Sequence, residues 1–374
     1  MKIGIDCRLH YYNRTGIGRY IRNLVRALPE CAIGDVELVL FQSRRERESL
    51  VQAPAIRSRK VITPAHHRWE RWLLATELAP RNVDLLHSPD HVAPHRLGWQ
   101  SVVTVQDLSF LARPEAYDTA SLRYHFQVFR TLTQAAKVIA ISDFTRSEVL
   151  NRVSIAPERV VTIHLAADPA YFPRAQADCE TVRNRLSVPD SYFLVVGNIE
   201  ARKNLERLLA AYALLPRKSR PHLVFAGGRG YHYDRVLEAV QEHRLEDQVK
   251  FLGYVNEDDL PVLYTGAAGL LYPSRYEGFG LPILEAMACG CPVITSNHSS
   301  MAEIAGDAAV LVDPTSAEAI AEGIKTLLDD SGRRDNMIAK GFTRVKDFSW
   351  QSTAEQTLAV YREAADFVAN AGSL

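Results

Sequence analysis

Three observations predict an α/β protein built from two doubly wound domains. The chain has 374 residues, and at roughly 150 residues per domain that length suits two. Short apolar runs alternate with helical patterns along most of it, which implies parallel sheets covered on both faces. The alternation breaks at residues 168–188, where Pro169 and Pro173 precede a charge-rich helix, and then restarts. The expected organisation is residues 1–174, residues 175–350, and a final helix in 351–374 that crosses back to the first domain.

Each element follows from its local pattern. Lys2–Cys7 reads as a buried strand, followed by a glycine turn and a helix over Ile17–Leu28. Val36–Phe41, Val83–His87, Val102–Val105, Val138–Ile141 and Val160–Ile163 are apolar runs of strand length. Helical patterns occupy His67–Leu78 and Ala120–Ala136. In the second half the strands are Tyr192–Val196, His222–Ala226, Val249–Phe251, Gly269–Tyr272, Pro292–Thr295 and Ala309–Val312. Helices over Leu205–Leu215, Tyr233–His243 and Pro282–Ala288 alternate with them, and the last helix covers Thr353–Ala369. Ligands of such sheets bind beyond the carboxyl ends of the strands, so the loops there carry the search for function.

Composition excludes several classes. Apolar residues are 47% and charged residues 24%, values of an ordinary globular protein and not of a disordered, collagen-like or disulfide-scaffold chain. Lysine plus arginine equals aspartate plus glutamate at 44 each, so no global field argues for nucleic acid. The halves differ: residues 1–185 hold 26 basic and 19 acidic side chains, the remainder 18 and 25. A positive front half suits phosphates or an anionic lipid surface, and equally a plain solvated face. The five cysteines (Cys7, Cys31, Cys179, Cys289, Cys291) form no paired CxxC motif. Asp6 interrupts any signal-peptide core, and no run reaches the roughly 18 apolar residues of a membrane span. A reduced, cytoplasmic protein is expected.

Thr15-Gly16-Ile17-Gly18-Arg19-Tyr20 lies between the first strand and its helix, where glycines admit a close ligand and the helix start offers N–H groups. A dinucleotide fingerprint would require glycine where Ile21 stands and an acid where Gln42 stands, which disfavours NAD. Gly197-Asn198-Ile199-Glu200-Ala201-Arg202-Lys203-Asn204 follows a strand and opens a helix. Arg202 and Lys203 are suitably placed cations for a departing diphosphate. Ser274-Arg275-Tyr276-Glu277-Gly278-Phe279-Gly280-Leu281-Pro282-Ile283-Leu284-Glu285 is more specific. Pro282 fits the first helical position, the glycine loop before it can present N–H groups, and Glu285 is expected in the first helical turn. A carboxylate there either complements the helix dipole or accepts hydrogen bonds from a diol.

These motifs make the chain resemble a retaining glycosyltransferase of family 4, with the GT-B fold of two Rossmann-like domains facing across a cleft. R-T-G-I-G-R-Y, G-N-I-E-A-R-K-N-L, E-G-F-G-L-P-I-L-E, F-S-W-Q-S-T-A and V-Y-R-E-A carry the resemblance over nearly the whole length. Within that family it resembles bacterial mannosyltransferases of O-antigen and other surface polysaccharides. The resemblance implies that Gly16 and Gly18 border the donor phosphates and acceptor site, and that Lys203, with Arg202, binds the diphosphate. It also implies that Glu277 sits near the transferred sugar, that Gly278, Phe279, Gly280 and Leu281 line the donor with backbone amides, and that Glu285 holds the ribose. Asn198, Gly228, Tyr254 and Val255 would lie near the nucleotide.

One departure concerns Val103-Thr104-Val105-Gln106-Asp107-Leu108, where many relatives carry histidine before the aspartate. Gln106 keeps hydrogen bonding but not charge, which opens a 6-deoxy donor. Asp107 orients the acceptor or Gln106, or else caps a strand end. Ser142 either faces the cleft or caps the following helix. His87 and His91 stand after another strand and show no metal spacing.

The expected reaction moves a hexosyl unit, mannose from GDP-mannose as the first choice, to a saccharide or lipid-linked saccharide with retention. No metal and no cofactor is expected. Alternatives are a 6-deoxy or UDP-sugar donor, a silent sugar-nucleotide-binding subunit, and an epimerase. Arg57, Arg59, Lys60, Arg68 and Arg71 with Trp69 and Trp72 suit peripheral contact with the inner membrane, although tryptophans more often belong to the core.

Overall fold

A computed structural model describes residues 1–13, 16–31, 34, 36–112, 114 and 117–371, with side chains to residue 365. The chain divides into two compact units, Met1–Leu165 with Ser349–Leu374, and Ala166–Phe348.

The first unit holds a seven-stranded parallel sheet. Its strands are β1 (Lys2–Asp6), β2 (Glu37–Ser43), β3 (Ile56–Val61), β4 (Leu85–Ser88), β5 (Gln100–Val105), β6 (Lys137–Ala140) and β7 (Val160–Thr162). They lie in the order β3-β2-β1-β4-β5-β6-β7. The chain winds outward from β1 and then returns to its other side, so the winding reverses between β1 and β4.

The second unit holds β8 (Tyr192–Val196), β9 (His222–Ala226), β10 (Val249–Gly253), β11 (Gly269–Tyr272), β12 (Val293–Ser296) and β13 (Val310–Val312). Their order is β10-β9-β8-β11-β12-β13, with every pairing parallel. The reversal here lies between β8 and β11, the position where doubly wound sheets open a crevice for ligands.

Interior strands are continuous apolar runs because helices cover both faces. All five residues of β8 are buried, and Phe193 and Val195 pack in one core with Leu208, Leu209, Phe225 and Ile324. β3 was not anticipated. Arg57, Arg59 and Lys60 point to solvent on this edge strand, and edge strands carry such charges to discourage further pairing. The helix expected over Ala120–Ala136 is two helices, Thr119–His125 and Val128–Gln134, the first capped by the Asp118 carboxylate. Helices at Leu260–Gly266, Ala317–Asp329 and Ser331–Val345 add to those expected.

The helix Trp350–Ala371 belongs to the first unit. Its Tyr361 hydroxyl lies 2.7 Å from His87 Nδ1, and His87 Nε2 lies 2.8 Å from Thr104 Oγ1. Complete burial pushes the His87 imidazole down to about 3, so it is neutral and ties the helix to β4 and β5. His87 is therefore a structural histidine. Gly18 is also explained by packing, since a Cβ there would lie 1.8 Å from the Asn13 carbonyl oxygen. Arg14 and Thr15 of the same motif lie outside the described residues.

Candidate functional site

The loops after β8, β9 and β10 are laced together by main chain. Gly197 N–H donates to Ala226 O at 3.0 Å, Gly227 N–H to Gly253 O at 2.8 Å, and Ile199 N–H to Gly228 O at 3.1 Å. The approach is so close that a Cβ on Gly227 would lie 2.0 Å from Gly197 O. The Asn198 carboxamide extends the lacing, accepting from Gly228 N–H at 3.2 Å.

Arg202 and Lys203 emerge from a short 3-10 turn, Ala201–Lys203. Asn204 then adopts a left-handed φ of +61°, which asparagine tolerates better than most side chains. Its amide donates to Pro273 O and Pro314 O at 3.1 and 2.7 Å, and its Oδ1 accepts from Arg275 Nε at 2.8 Å. Arg275 N–H in turn donates to Arg202 O at 2.8 Å. The loops after β8 and β11 are thereby fixed against each other at the winding reversal.

Both cations converge on Glu277. Lys203 Nζ stands 2.8 Å from its Oε1, and Arg202 pairs with its Oε2. Lys203 also donates to the Tyr272 hydroxyl at 2.5 Å and lies over that ring at 4.3 Å. Arg202 Nε pairs with Glu200 at 2.8 Å. Lys203 and Glu277 are both buried, and Arg202 keeps a quarter of its side chain exposed. Lys203, Gly197, Tyr272 and Ser274 line a narrow crevice here.

Burial opposes ionisation of Glu277, but Arg202 and Lys203 outweigh it and hold the carboxyl at about 2. Burial lowers the Lys203 ammonium despite Glu277. It also raises the Tyr272 phenol, helped by Glu277. Two cations thus share the Glu277 carboxylate, and Glu200 balances the second positive charge through Arg202.

Ser299 and Ser300, after β12, position the glutamate loop. Ser299 Oγ accepts from Glu277 N–H at 3.2 Å, while Ser300 Oγ donates to Glu277 O at 2.8 Å and Phe279 O at 3.0 Å. The Phe279 ring is buried edge-on against Phe348. Gly280 takes φ +98° and precedes the helix Leu281–Ala288, whose start has no side-chain cap. Its first N–H groups suit an anion.

Glu285 differs from expectation in one respect. The helix begins at Leu281 and has no acid in its first turn, so Glu285 sits beyond the reach of a simple dipole partner. It is buried, and its Oε2 accepts from the Tyr264 hydroxyl at 3.0 Å.

The structure therefore brings Arg202, Lys203 and Glu277 together, with Asn198 and Gly228 on the adjoining loops. Val255 is buried, and Tyr254 is exposed after the β10 turn. Gly16, Gly18, Gln106 and Asp107 lie in the first unit. Gln106 Nε2 donates to Pro89 O at 3.2 Å, and Asp107 Oδ1 accepts from Ser109 N–H and Oγ–H at 3.0 and 2.7 Å. Both hold loops at the carboxyl ends of β4 and β5. Ser142 Oγ accepts from Thr145 N–H at 3.0 Å and caps its helix. Sequence reasoning missed Tyr272, Asn204, Ser299 and Ser300. The available signal was their place at or just beyond strand ends.

Comparison with known proteins follows the same division. Residues 180–344 match the model of Glycosyl transferases group 1, and residues 14–171 match Glycosyltransferase Family 4. The chain is 35% identical over 370 residues to O-antigen chain mannosyltransferase B of Escherichia coli, covering 94% of this chain and 97% of that one. Sucrose-phosphate synthase from Thermosynechococcus elongatus shares the fold at a TM-score of 0.79 and 24% identity, covering 97% and 98% of the two chains. WaaG, a glycosyltransferase involved in lipopolysaccharide biosynthesis, does so at 0.75 and 17% identity, covering 96% and 99%.

Proposed function

We propose that this chain, which belongs to the family 4 glycosyltransferases, transfers a mannosyl unit from GDP-mannose to a saccharide or lipid-linked saccharide in surface-polysaccharide synthesis. The observation that carries this reading is the pairing of Arg202 and Lys203 around Glu277 at the β8–β11 reversal. A diphosphate leaving group gains negative charge as its bond to the anomeric carbon breaks. Two preorganised cations and the uncapped helix start at Leu281 stabilise that charge, the work a divalent ion does elsewhere. The reaction needs no metal and no cofactor in this reading. It retains configuration, with the departing phosphate taking the acceptor's proton on the same face.

Glu285 holds the donor ribose in this proposal. Glu285→Ala is expected to weaken donor binding by about 1–3 kcal/mol, the cost of a lost buried hydrogen-bond partner. Calorimetric titration of GDP-mannose and GDP checks it, and an unchanged affinity would remove Glu285 from the ribose.

An anionic lipid surface is the proposed peripheral partner. Trp69, Trp72 and Leu73 are exposed at the start of the helix Glu70–Leu78, and Ile62 is exposed beside it. The Arg68 guanidinium lies 4.9 Å from the Trp69 ring centroid, with Arg57, Arg59 and Lys60 exposed on β3. Arg71 leaves this set, because it is buried and donates to Ala93 O at 2.8 Å. Aromatic side chains flanked by cations suit the headgroup boundary. Trp69→Ser with Trp72→Ser is expected to abolish co-sedimentation with phosphatidylglycerol vesicles. Equal sedimentation of parent and variant would overturn the assignment. No helix of the described residues is long and apolar enough to cross a membrane.

A further inference from the structure

The carboxyl edge of the first sheet carries a second polar constellation that the diphosphate chemistry does not use. Arg8, almost wholly buried, donates from Nε and Nη2 to Asp6 at 2.9 and 2.7 Å, from Nη2 to Glu70 at 2.5 Å, and from Nη1 to Thr63 O at 3.0 Å. Glu70 Oε2 accepts from the Tyr124 hydroxyl at 2.8 Å and from His66 N–H at 2.7 Å. His66 takes a left-handed φ of +58°, a backbone state retained where the surroundings over-determine it. Its ring Nε2 lies 3.5 Å from Asp90 Oδ2.

Asp90 continues the chain. Its Oδ1 lies 2.8 Å from His91 Nδ1, and His91 Nε2 lies 2.9 Å from His125 Nδ1. The Phe110 ring stacks on both imidazoles, with centroids at 5.0 and 4.8 Å and interplanar angles near 22° and 21°. The pair is therefore locked in orientation before any ligand arrives. At the two ends, His66 Nδ1 and His125 Nε2 have no hydrogen-bond partner among the described residues, and the His66 side chain is half exposed.

We propose that these two imidazole ends form a saccharide subsite that takes an uncharged sugar residue of the acceptor and rejects a phosphorylated one. The assignment to the acceptor rests on the glycosyltransferase reading. The site lies where the winding reverses between β1 and β4, and Asp107 beyond β5 is close enough to act on His125. Asp6, Glu70 and Asp90 set three carboxylates against the guanidiniums of Arg8 and of Arg71, which acts on Tyr124. That excess of negative charge repels phosphate, while imidazole nitrogens donate to and accept from hydroxyls.

The neutral state of the His125 ring suits this use. Burial, then the neighbouring His91, lowers His125 to about 4, so its ring is neutral and offers an acceptor or a donor by tautomer. The groups facing it are His91, Asp90, His66 and Asp107, with Tyr117 and Tyr124 at ring contact. The hydrogen bond to Asp90 raises His66, which also faces Glu70 and Arg8.

Imidazole ¹⁵N spectra of the full chain test the proposal, with methyl α-D-mannopyranoside, N-acetylglucosamine and mannose 6-phosphate as probes. The expected result is that one or both uncharged sugars shift the His66 and His125 ring signals at millimolar concentration and the phosphate does not. His125→Gln, and separately His66→Asn at the exposed end, should reduce these shifts and raise acceptor KM roughly tenfold, about one hydrogen bond. Affinity for GDP should stay unchanged. Absence of shifts with both uncharged sugars, or a stronger response to mannose 6-phosphate, would overturn the subsite. Donor titration in the same samples separates the two readings: lost GDP-mannose binding with intact sugar shifts sinks the transferase assignment and leaves the subsite standing.

Discussion

Replacing Lys203 by alanine is expected to lower turnover by roughly 10²–10³-fold, the usual loss for one preorganised donor aimed at developing charge. Donor affinity should fall much less. Lys203 is buried between Tyr272 and Glu277, so its charge acts without screening by water and needs no reorganisation during reaction. Arg202 survives in the variant and continues to hold the ground-state diphosphate, which separates kcat from binding. Nucleotide release under saturating donor, beside calorimetric GDP-mannose binding, reads the two quantities. Kinetics equal to the parent would remove Lys203 from the reacting centre.

Glu277→Gln is expected to have opposite effects on product binding and on turnover. Without ligand, Glu277 is the anion that Arg202 and Lys203 share. Its neutral isostere leaves Lys203 without a carboxylate while Arg202 keeps Glu200. One net positive charge then faces the crevice, so GDP should bind about tenfold more tightly, a modest fraction of the Coulomb energy available at such distances. Turnover should fall by roughly 10³-fold, because a tightly held product and a lost carboxylate both act against it. The same variant carries a pH signature. With a folded value of about 2, below the ordinary carboxylate value near 4.3, ionised Glu277 contributes stability above about pH 5. That contribution is lost as pH falls toward 2. Acid unfolding of the Gln variant should show a shallower dependence over that window, and an identical slope would mean that the carboxylate is not held by these cations.

Legibility followed burial. β8 and β11 were readable because both faces of an interior parallel strand demand apolar side chains. β3 was not, since its one exposed edge mixes Arg57, Arg59 and Lys60 with Ile56 and Val61. Neither of the two helices directly after β13 was anticipated: Ser331–Val345 buries only Met337 and Gly341, too little for a visible stripe, and the Ile320, Ile324 and Leu327 stripe of Ala317–Asp329 went unread. Arg202, Lys203 and Glu277 were legible as residue types beyond strand ends. Their mutual pairing was not, because 75 positions separate Arg202 from Glu277 and only the β8–β11 adjacency closes that gap. The Asp90–His91–His125 chain was hidden for the same reason: His91 was visible in its strand-end loop, but its partner arrives from a helix 34 residues later.

The first unit is completed by its last helix, Trp350–Ala371, and that fixes the order in which the molecule emerges from the ribosome. β4 and β5 are synthesised early, yet the Tyr361 hydroxyl that meets His87 comes only after the whole of Ala166–Phe348. At roughly 5–20 residues per second this delay lasts about 10–40 s. The inserted unit can mature as a contiguous segment during that interval, while the earlier one waits with an apolar flank bare. The half made first is therefore the last to complete its packing.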